Sequence, residues 1–301
     1  MRLNYHLLDV FTDRQFGGNQ LAVFPDPPPD LPAELMRQIA KELNLSETTF
    51  VLPPSESNFD FRLRIFTPAA ELPMAGHPTV GSAYMLARLG ALGRVENAKT
   101  IVFEENVGPI AVTIHADERG DPVEVWMHQP IPQFLNIIED RSKIAEILSL
   151  SAADLYRDAP VQVLSSGEPF MFVLVNSLDT IQRIRLRFDK WAEALAGTNA
   201  ENIFVTSTET VYDSSTVHSR MFAPALGIHE DPATGAASGP LGAYLLRYDL
   251  VQAGEMVSEQ GFEIGRPSFI RIRARQTEST FSEVSVGGKC AYVGYGTLVI
   301  N

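Results

Sequence analysis

The feature that most constrains this chain is a motif that occurs twice. Residues 77–83 read His-Pro-Thr-Val-Gly-Ser-Ala and residues 231–237 read Asp-Pro-Ala-Thr-Gly-Ala-Ala, so Pro, Gly and Ala recur at an offset of 154 positions. Two upstream blocks repeat in the same order, residues 47–51 with 201–205 and residues 64–69 with 220–225. Three ordered matches predict that the chain contains two copies of one domain.

Each copy of the motif leads into a stretch without charge. No charged residue occurs between Pro78 and Arg88, or between Pro232 and Arg247. A helix that is small or apolar all round is a buried helix, and proline is favoured at a first helical position. We therefore expect buried helices over residues 78–89 and 232–247. In a chain rich in short strands, this predicts a sheet wrapped around each helix.

The two helix starts are candidate binding elements. A helix start has free N–H groups and the positive end of the helix dipole, which together favour an anion such as a carboxylate. Since the repeat places one start in each copy, we expect the two starts to converge on one small acid between the domains.

Charge and composition limit the partners. The chain has 301 residues and a net charge of −13, which argues against nucleic acid and anionic membrane but leaves an acidic small molecule open. Its single cysteine, Cys290, allows no disulfide within the chain and no cysteine-based zinc site. No basic start followed by an apolar run and no apolar stretch of about 18 residues occurs, which predicts a cytoplasmic protein.

The domain boundaries are predicted from prolines and from the repeat. Gln129-Pro130-Ile131-Pro132 interrupts regular structure between the two copies. The last strand, near residues 296–300, has no partner in the order of the second copy, so we expect it to return to the first. The predicted division is residues 1–122 plus 288–301 for one domain and 123–287 for the other.

Three polar residues near the repeated motif are candidates for chemistry, each with a plain alternative. Glu47 stands among apolar residues at a strand start, where it is either a solvated side chain or a catalytic carboxylate. Asp231 is a favoured helix N-cap, worth about 1 kcal/mol, and this role is compatible with catalysis. His77 is a poor N-cap, so it is either bonded to loop backbone or functional. Familiar hydrolase, zinc-protease and nucleotide-binding motifs are absent from the sequence.

Several stretches together resemble one family. They are residues 18–24 (Gly-Asn-Gln-Leu-Ala-Val-Phe), 44–51 (Asn-Leu-Ser-Glu-Thr-Thr-Phe-Val), 66–68 (Phe-Thr-Pro), 75–78 (Ala-Gly-His-Pro), 230–235 (Glu-Asp-Pro-Ala-Thr-Gly), 259–261 (Glu-Gln-Gly) and 265–268 (Gly-Arg-Pro-Ser). On these motifs the chain is similar, over nearly its whole length, to the phenazine-biosynthesis isomerase (PhzF-like) family. The resemblance implies the diaminopimelate epimerase-like fold, an α+β architecture of two pseudo-symmetric domains, each a β-barrel around a central buried helix.

The resemblance also implies a site and an activity. The catalytic residues correspond to Glu47, His77 and Asp231, and backbone N–H groups near Gly76 and Gly235 would hold a substrate carboxylate. The implied activity is an isomerase or epimerase that moves a proton on a small carboxylate-bearing substrate, without a cofactor or metal. The oligomeric state stays open between monomer and homodimer.

One position departs from the family pattern. Ala236 stands where the family has a serine, so the backbone N–H is kept and a hydroxyl is lost, which leaves the identity of the substrate open. The lone cysteine rules out the two-thiol racemase chemistry of the epimerase branch. The alternative function is a catalytically idle two-domain protein that binds a small acid or a protein partner.

Overall fold

The computed structural model describes residues 1–252, 254–277 and 280–300, and the chain forms two compact units. Unit 1 comprises Met1–Gln129 and Ser285–Asn301, and unit 2 comprises Pro130–Val284. The domain boundaries expected from the sequence, 122/123 and 287/288, remain predictions, and Asn301, the last residue of the predicted first domain, lies outside the described residues. None of the helices in the described ranges is long and apolar enough to cross a membrane.

Unit 1 is built from strands that alternate with two helices. Its helices are α1 (Ala33–Leu43) and α2 (Gly76–Arg88). Its strands are β1 (Arg2–Val10), β2 (Asn19–Phe24), β3 (Glu47–Leu52), β4 (Phe61–Phe66), β5 (Glu71–Leu72), β6 (Ala98–Glu105), β7 (Gly108–Ala116), β8 (Pro122–His128) and β18 (Cys290–Val299), together with the end of β17 (Thr280–Gly288).

The strands of unit 1 form one curved sheet around α2. They pair in the order β18–β1–β2–β3–β4–β6–β7–β8–β17, with β5 beside β4; β2–β3 and β4–β6 are parallel and the other pairs antiparallel. Helix α2 packs against β1, β2 and β3 and also against β7 and β8. Because these strands come from both ends of the pairing order, the sheet must curve around the helix.

Unit 2 repeats this plan. Its helices are α3 (Arg141–Ile147), α4 (Leu178–Gln182), α5 (Phe188–Ala194) and α6 (Gly235–Arg247). Its strands are β9 (Gln133–Ile137), β10 (Gln162–Ser165), β11 (Pro169–Leu174), β12 (Ile203–Ser207), β13 (Val217–Ala223), β14 (Ile228–Asp231), β15 (Glu255–Gln260) and β16 (Ser268–Thr277), together with the start of β17.

The order of strand pairing confirms the internal repeat. In unit 2 the order is β9–β10–β11–β12–β13–β15–β16, with β14 beside β13, and the parallel pairs are β11–β12 and β13–β15. The two parallel pairs of unit 2 occupy the same places in the strand order as β2–β3 and β4–β6 in unit 1. Helix α6 packs against β10 and β16, as α2 packs against the strands of its own sheet. The predicted α+β architecture, with strands around a buried helix in each copy, is confirmed.

The last strand also follows the prediction. β18 runs antiparallel to β1 along its whole length, with Arg2 opposite Val299 and Val10 opposite Cys290. The C-terminal strand therefore completes unit 1, to which the first residues of the chain also belong.

Both central helices are buried, but neither begins at its predicted proline. Helix α2 begins at Gly76, so that Pro78 is its third residue, and α6 begins at Gly235, so that Pro232 precedes the helix. The expectation that Asp231 is an N-cap is wrong: Asp231 ends β14, and Thr234 is the N-cap of α6. A second proline, Pro240, lies inside α6.

Shorter elements depart from the sequence-based expectations in local ways. A single 3-10 turn at Ala152–Asp154, closed by a capping box from Ser151, follows α3. Helix α4 and strand β9 were not predicted. β9 directly follows the Pro130–Pro132 segment, and its register with β10 is set by residues about 30 positions downstream, which local sequence does not reveal.

The close packing of α2 predicts a stability effect at Gly81. A β-carbon at this position would lie 2.5 Å from Leu21 Cδ2 and 2.8 Å from Val10 Cγ2, well inside van der Waals contact. Overpacking of this kind typically costs about 1–3 kcal/mol, so Gly81→Ala should lower the free energy of unfolding by that amount in urea titrations. The matched control is Gly294→Ala, where the added methyl meets no atom within 4 Å. Equal stability of the two variants would contradict this description of the core.

Candidate functional site

The catalytic glutamate expected from the sequence is buried. Glu47 is the first residue of β3, pairs with Leu21 of β2, and is only 6% exposed. The plain alternative of a solvated strand-start glutamate is therefore wrong. Burying a carboxylate without compensation is costly, so its immediate neighbours decide its chemistry.

A buried histidine lies directly beside this carboxyl group. His77 is the second residue of α2, and its Nε2 is 3.1 Å from Glu47 Oε2. Its Nδ1 is 3.1 Å from Nδ2 of Asn19, the first residue of β2. Three elements of unit 1 therefore bring together a carboxyl group, an imidazole and an amide within a dry environment.

The ionisation state of the histidine follows from its burial. Burial lowers the pKa of His77 to about 3, against the opposing effect of a hydrogen bond with the Gln20 backbone. The ring is therefore neutral at pH 7 and has one nitrogen that donates and one that accepts. A neutral imidazole in contact with a carboxyl group is a suitable partner for proton transfer.

A second buried carboxyl group, not predicted from the sequence, lies at the same end of α2. The Thr79 hydroxyl is 2.6 Å from Glu105 Oε1 and 2.7 Å from the Ala75 carbonyl oxygen. Burial raises the pKa of Glu105 to about 8, against the effect of the Thr79 contact. A neutral Glu105 fits this geometry, because the threonine hydroxyl has one proton for two acceptors and a protonated carboxyl supplies another.

Of the remaining predicted residues, Asp231, Gly235 and Ala236 lie in unit 2, whereas Gly76 lies in unit 1. Asp231 is 5% exposed, and its Oδ2 accepts a hydrogen bond of 2.6 Å from the Thr234 hydroxyl. Gly235 and Ala236 are the first two residues of α6, as Gly76 and His77 are of α2. Ala236, which replaces the family serine, is half-buried, whereas its neighbours on either side are buried.

A buried ionic cluster in unit 2 was also missed by sequence reasoning. His218 of β13 is fully buried, with Nδ1 2.8 Å from Glu259 Oε1 and Nε2 2.9 Å from Glu263 Oε1. Burial alone would lower the pKa of His218, but the hydrogen bonds and charges of the two glutamates raise it to about 9. The ring is therefore an imidazolium at pH 7.

A second buried ion pair adjoins this cluster. Arg220 forms two parallel hydrogen bonds to Glu230, at 2.9 and 2.7 Å, and its guanidinium also donates to the carbonyl of Ile181. Glu230 directly precedes Asp231, so this pair fixes the backbone next to the predicted site residue. The only sequence signal for it was the repeat of Arg64 at Arg220.

Comparison with known proteins identifies one family that matches nearly the whole chain. The model of the family described as phenazine biosynthesis-like protein matches residues 8–296. An uncharacterized isomerase of Mesorhizobium japonicum is 37% identical, and trans-2,3-dihydro-3-hydroxyanthranilate isomerase of Pseudomonas fluorescens is 35% identical; each alignment covers 99% of both chains.

Solved structures extend the comparison. The crystal structure of the Bacillus anthracis phenazine biosynthesis protein of the PhzF family superposes with a TM-score of 0.86 at 28% identity, covering 100% of both chains. A probable proline racemase from Agrobacterium radiobacter shares the fold alone, with a TM-score of 0.67 at 10% identity, covering 99% of this chain and 93% of that one.

The chain thus has the fold that these solved structures share, which is the diaminopimelate epimerase-like fold predicted from the sequence. It belongs to the phenazine biosynthesis-like protein family. The isomerase activity expected from the sequence motifs is the activity named for these relatives.

The buried Glu105 generates a prediction about pH and stability. The pKa of Glu105 is raised from 4.5 to about 8 on folding. Its contribution to the free energy of unfolding is therefore fully present below pH 4.5 and is lost as pH rises toward 8. Glu105→Gln, which stays neutral, should therefore gain stability relative to wild type between pH 4.5 and 8. Urea unfolding at several pH values measures this difference. The exposed Glu118→Gln is the control, and parallel pH curves for Glu105→Gln and wild type would contradict a protonated Glu105.

The His218 cluster generates a prediction with a different pH window. The pKa of His218 is raised from 6.5 to about 9. The contribution of its imidazolium to the free energy of unfolding is therefore fully present below pH 6.5 and is lost as pH rises through 9. His218→Gln removes the imidazolium beside the buried Glu259 and the half-buried Glu263, and it should cost about 3–5 kcal/mol at pH 7. Thermal and urea unfolding measure this loss. The exposed His229→Gln should be close to wild type, and an equally small effect at His218 would show that the cluster is not ionic.

Proposed function

We propose that this protein is a cofactor-independent isomerase that moves a proton between carbon atoms of a small carboxylate-bearing substrate. The observation that carries the proposal is the buried contact of 3.1 Å between His77 Nε2 and Glu47 Oε2. Family membership supports it, because relatives covering the whole chain are named isomerases.

In this proposal Glu47 is the proton carrier. Its carboxylate removes a proton from a substrate carbon, and the electron pair left behind delocalises into the neighbouring double bond and carboxylate. The resulting Glu47 carboxylic acid then returns the proton to a different carbon. The proton balance is zero and no electrons leave the substrate, so the reaction requires no redox partner.

His77 acts on Glu47 and on the substrate as a neutral group. Because its pKa is held near 3 by burial, it contributes an N–H donor or an acceptor without adding charge. A positioned neutral donor can stabilise developing negative charge in a site that excludes water. The neighbouring Asn19 amide, 3.1 Å from Nδ1, limits how the ring can rotate.

In this proposal, Asp231 and the N–H groups at the starts of α2 and α6 contact the same substrate molecule. Asp231 is assigned because the stretch Asp-Pro-Ala-Thr-Gly is the family motif. The N–H groups near Gly76 and Gly235 are suited to a carboxylate because they begin α2 and α6. Because Ala236 replaces the family serine, this position offers the substrate a backbone N–H group but no side-chain hydroxyl.

The first test uses trans-2,3-dihydro-3-hydroxyanthranilate as the probe, because relatives 35% and 36% identical to this chain are named for its isomerisation. Glu47→Gln keeps the shape of the side chain and removes the base, so turnover should fall by about 10²–10⁴-fold while binding is retained. The control is Glu42→Gln, an exposed glutamate five residues earlier. Equal turnover by Glu47→Gln and wild type would exclude Glu47 as the proton carrier.

The second test follows the proton itself. In D₂O, a carboxylic acid that exchanges with solvent before returning its proton gives product with deuterium at the new C–H bond, as mass spectrometry or NMR detects. The Glu47→Gln variant should incorporate none. Wild-type protein that binds the probe and related small acids, yet catalyses neither turnover nor deuterium incorporation, would favour the alternative of a binding protein.

A further inference from the structure

We propose that Thr234 and Gln260 are positioning residues that hold the Asp231 carboxylate in one orientation. The inference rests on the proposed function for the role of Asp231 in turnover, but its structural part concerns unit 2 alone. It assigns a role to the Glu259-Gln260-Gly261 segment, which the proposed mechanism does not use.

The contacts form a closed circuit of hydrogen bonds. Gln260 Nε2 donates to the Asp231 carbonyl at 2.8 Å and to the Thr234 hydroxyl oxygen at 2.9 Å. The Thr234 backbone N–H donates to Gln260 Oε1 at 3.2 Å. The Thr234 hydroxyl in turn donates to Asp231 Oδ2 at 2.6 Å, a short bond to a carboxylate.

The direction of each bond in this circuit is determined. A backbone N–H can only donate and a backbone carbonyl can only accept, so the Gln260 amide has one permitted orientation. Since Gln260 Nε2 donates to the Thr234 oxygen, the single hydroxyl proton of Thr234 is directed to Asp231. Gln260 thus acts on the Asp231 carboxylate indirectly, through its hydrogen bond to the Thr234 hydroxyl.

Burial makes these bonds hard to replace by water. Gln260 is 0% exposed, Thr234 is 7% exposed and Asp231 is 5% exposed. A hydrogen bond to a buried charged group is worth more than an exposed one, and its loss leaves an uncompensated acceptor. The hydrogen-bond circuit therefore holds one carboxylate oxygen of Asp231 in place, which exposed hydrogen bonds that water can replace would not do.

Gly261 provides an independent observation in favour of a fixed turn. Its φ is +80°, and a β-carbon there would lie 2.4 Å from the Arg266 carbonyl oxygen and 2.6 Å from the Pro232 carbonyl oxygen. The backbone of Gly261 therefore packs closely against the backbone of Pro232, the residue after Asp231. Glu259, whose side chain binds His218, anchors the same strand on the other face.

The test compares variants that differ by one polar group. Thr234→Val keeps the shape of the side chain and removes the hydroxyl, Thr234→Ser keeps the hydroxyl, and Gln260→Glu keeps the size of the side chain but loses both donors once ionised. With trans-2,3-dihydro-3-hydroxyanthranilate as the probe, Thr234→Val and Gln260→Glu should lower kcat by about 10–100-fold with little change in KM. Thr234→Ser should stay within about threefold of wild type.

A double-mutant cycle separates positioning from general stability. In an Asp231→Asn background, Thr234→Val should cause little further loss of kcat, because the group on which it acts is already altered. A full additional loss in that background would overturn the proposal. Melting temperatures check folding, and failure of both Thr234→Val and Gln260→Glu to fold would also overturn it, by making the circuit purely structural.

A readout that needs no turnover keeps this inference distinct from the proposed function. The ¹³C carboxyl resonance of Asp231 should move in Thr234→Val and stay near its wild-type position in Thr234→Ser. The Gln260 side-chain amide protons should be protected from exchange in wild type and less protected in Thr234→Val. If these shifts occur but wild type converts neither the probe nor related small acids, the proposed function fails and the positioning role stands. If no shift occurs, the positioning role fails.

Discussion

The burial of one helix in each unit is the constraint from which the rest of the structure follows. Helices α2 and α6 have no polar face, so they are stable only when strands cover them on every side. Close approach is possible because small residues meet the sheet: Gly81 faces Leu21 and Val10, and Gly242 faces Ile272. Each curved sheet therefore has a helix as its core, and the helix start lies within the buried part of the unit.

Burial gives polar groups in the two units different ionisation states according to their neighbours. The pKa of His77 falls because burial outweighs the opposing hydrogen bond with the Gln20 backbone, whereas His218 stays charged between two glutamates. Glu105 becomes neutral because burial raises its pKa more than the hydrogen bond with the Thr79 hydroxyl lowers it. The same desolvation thus produces a neutral base, a fixed cation and a protonated acid, and the partners alone decide which.

Much of the fold could be predicted from the sequence because it is encoded in local patterns and in their repetition. The uncharged runs after Pro78 and Pro232 indicated the buried helices, and the shared motifs indicated equivalent strands. The start of α6 could not be placed from the motif, because the aligned positions 77 and 231 differ in backbone conformation: His77 is inside a helix and Asp231 ends a strand. Glu105 and His218 were missed because their partners are distant in sequence.

The two copies have diverged at the position to which the proposed function assigns proton transfer. Glu201 occupies the place of Glu47 in the repeat, but it is half-exposed and accepts a hydrogen bond from the Gly197 backbone at 2.8 Å. The place of His77 is taken by Asp231, which is bound by Thr234. The duplicated scaffold thus places its buried glutamate–histidine pair in unit 1 and a hydrogen-bonded aspartate in unit 2. This asymmetry suits a reaction in which one carboxyl group both removes and returns the proton, rather than one that uses two equivalent bases.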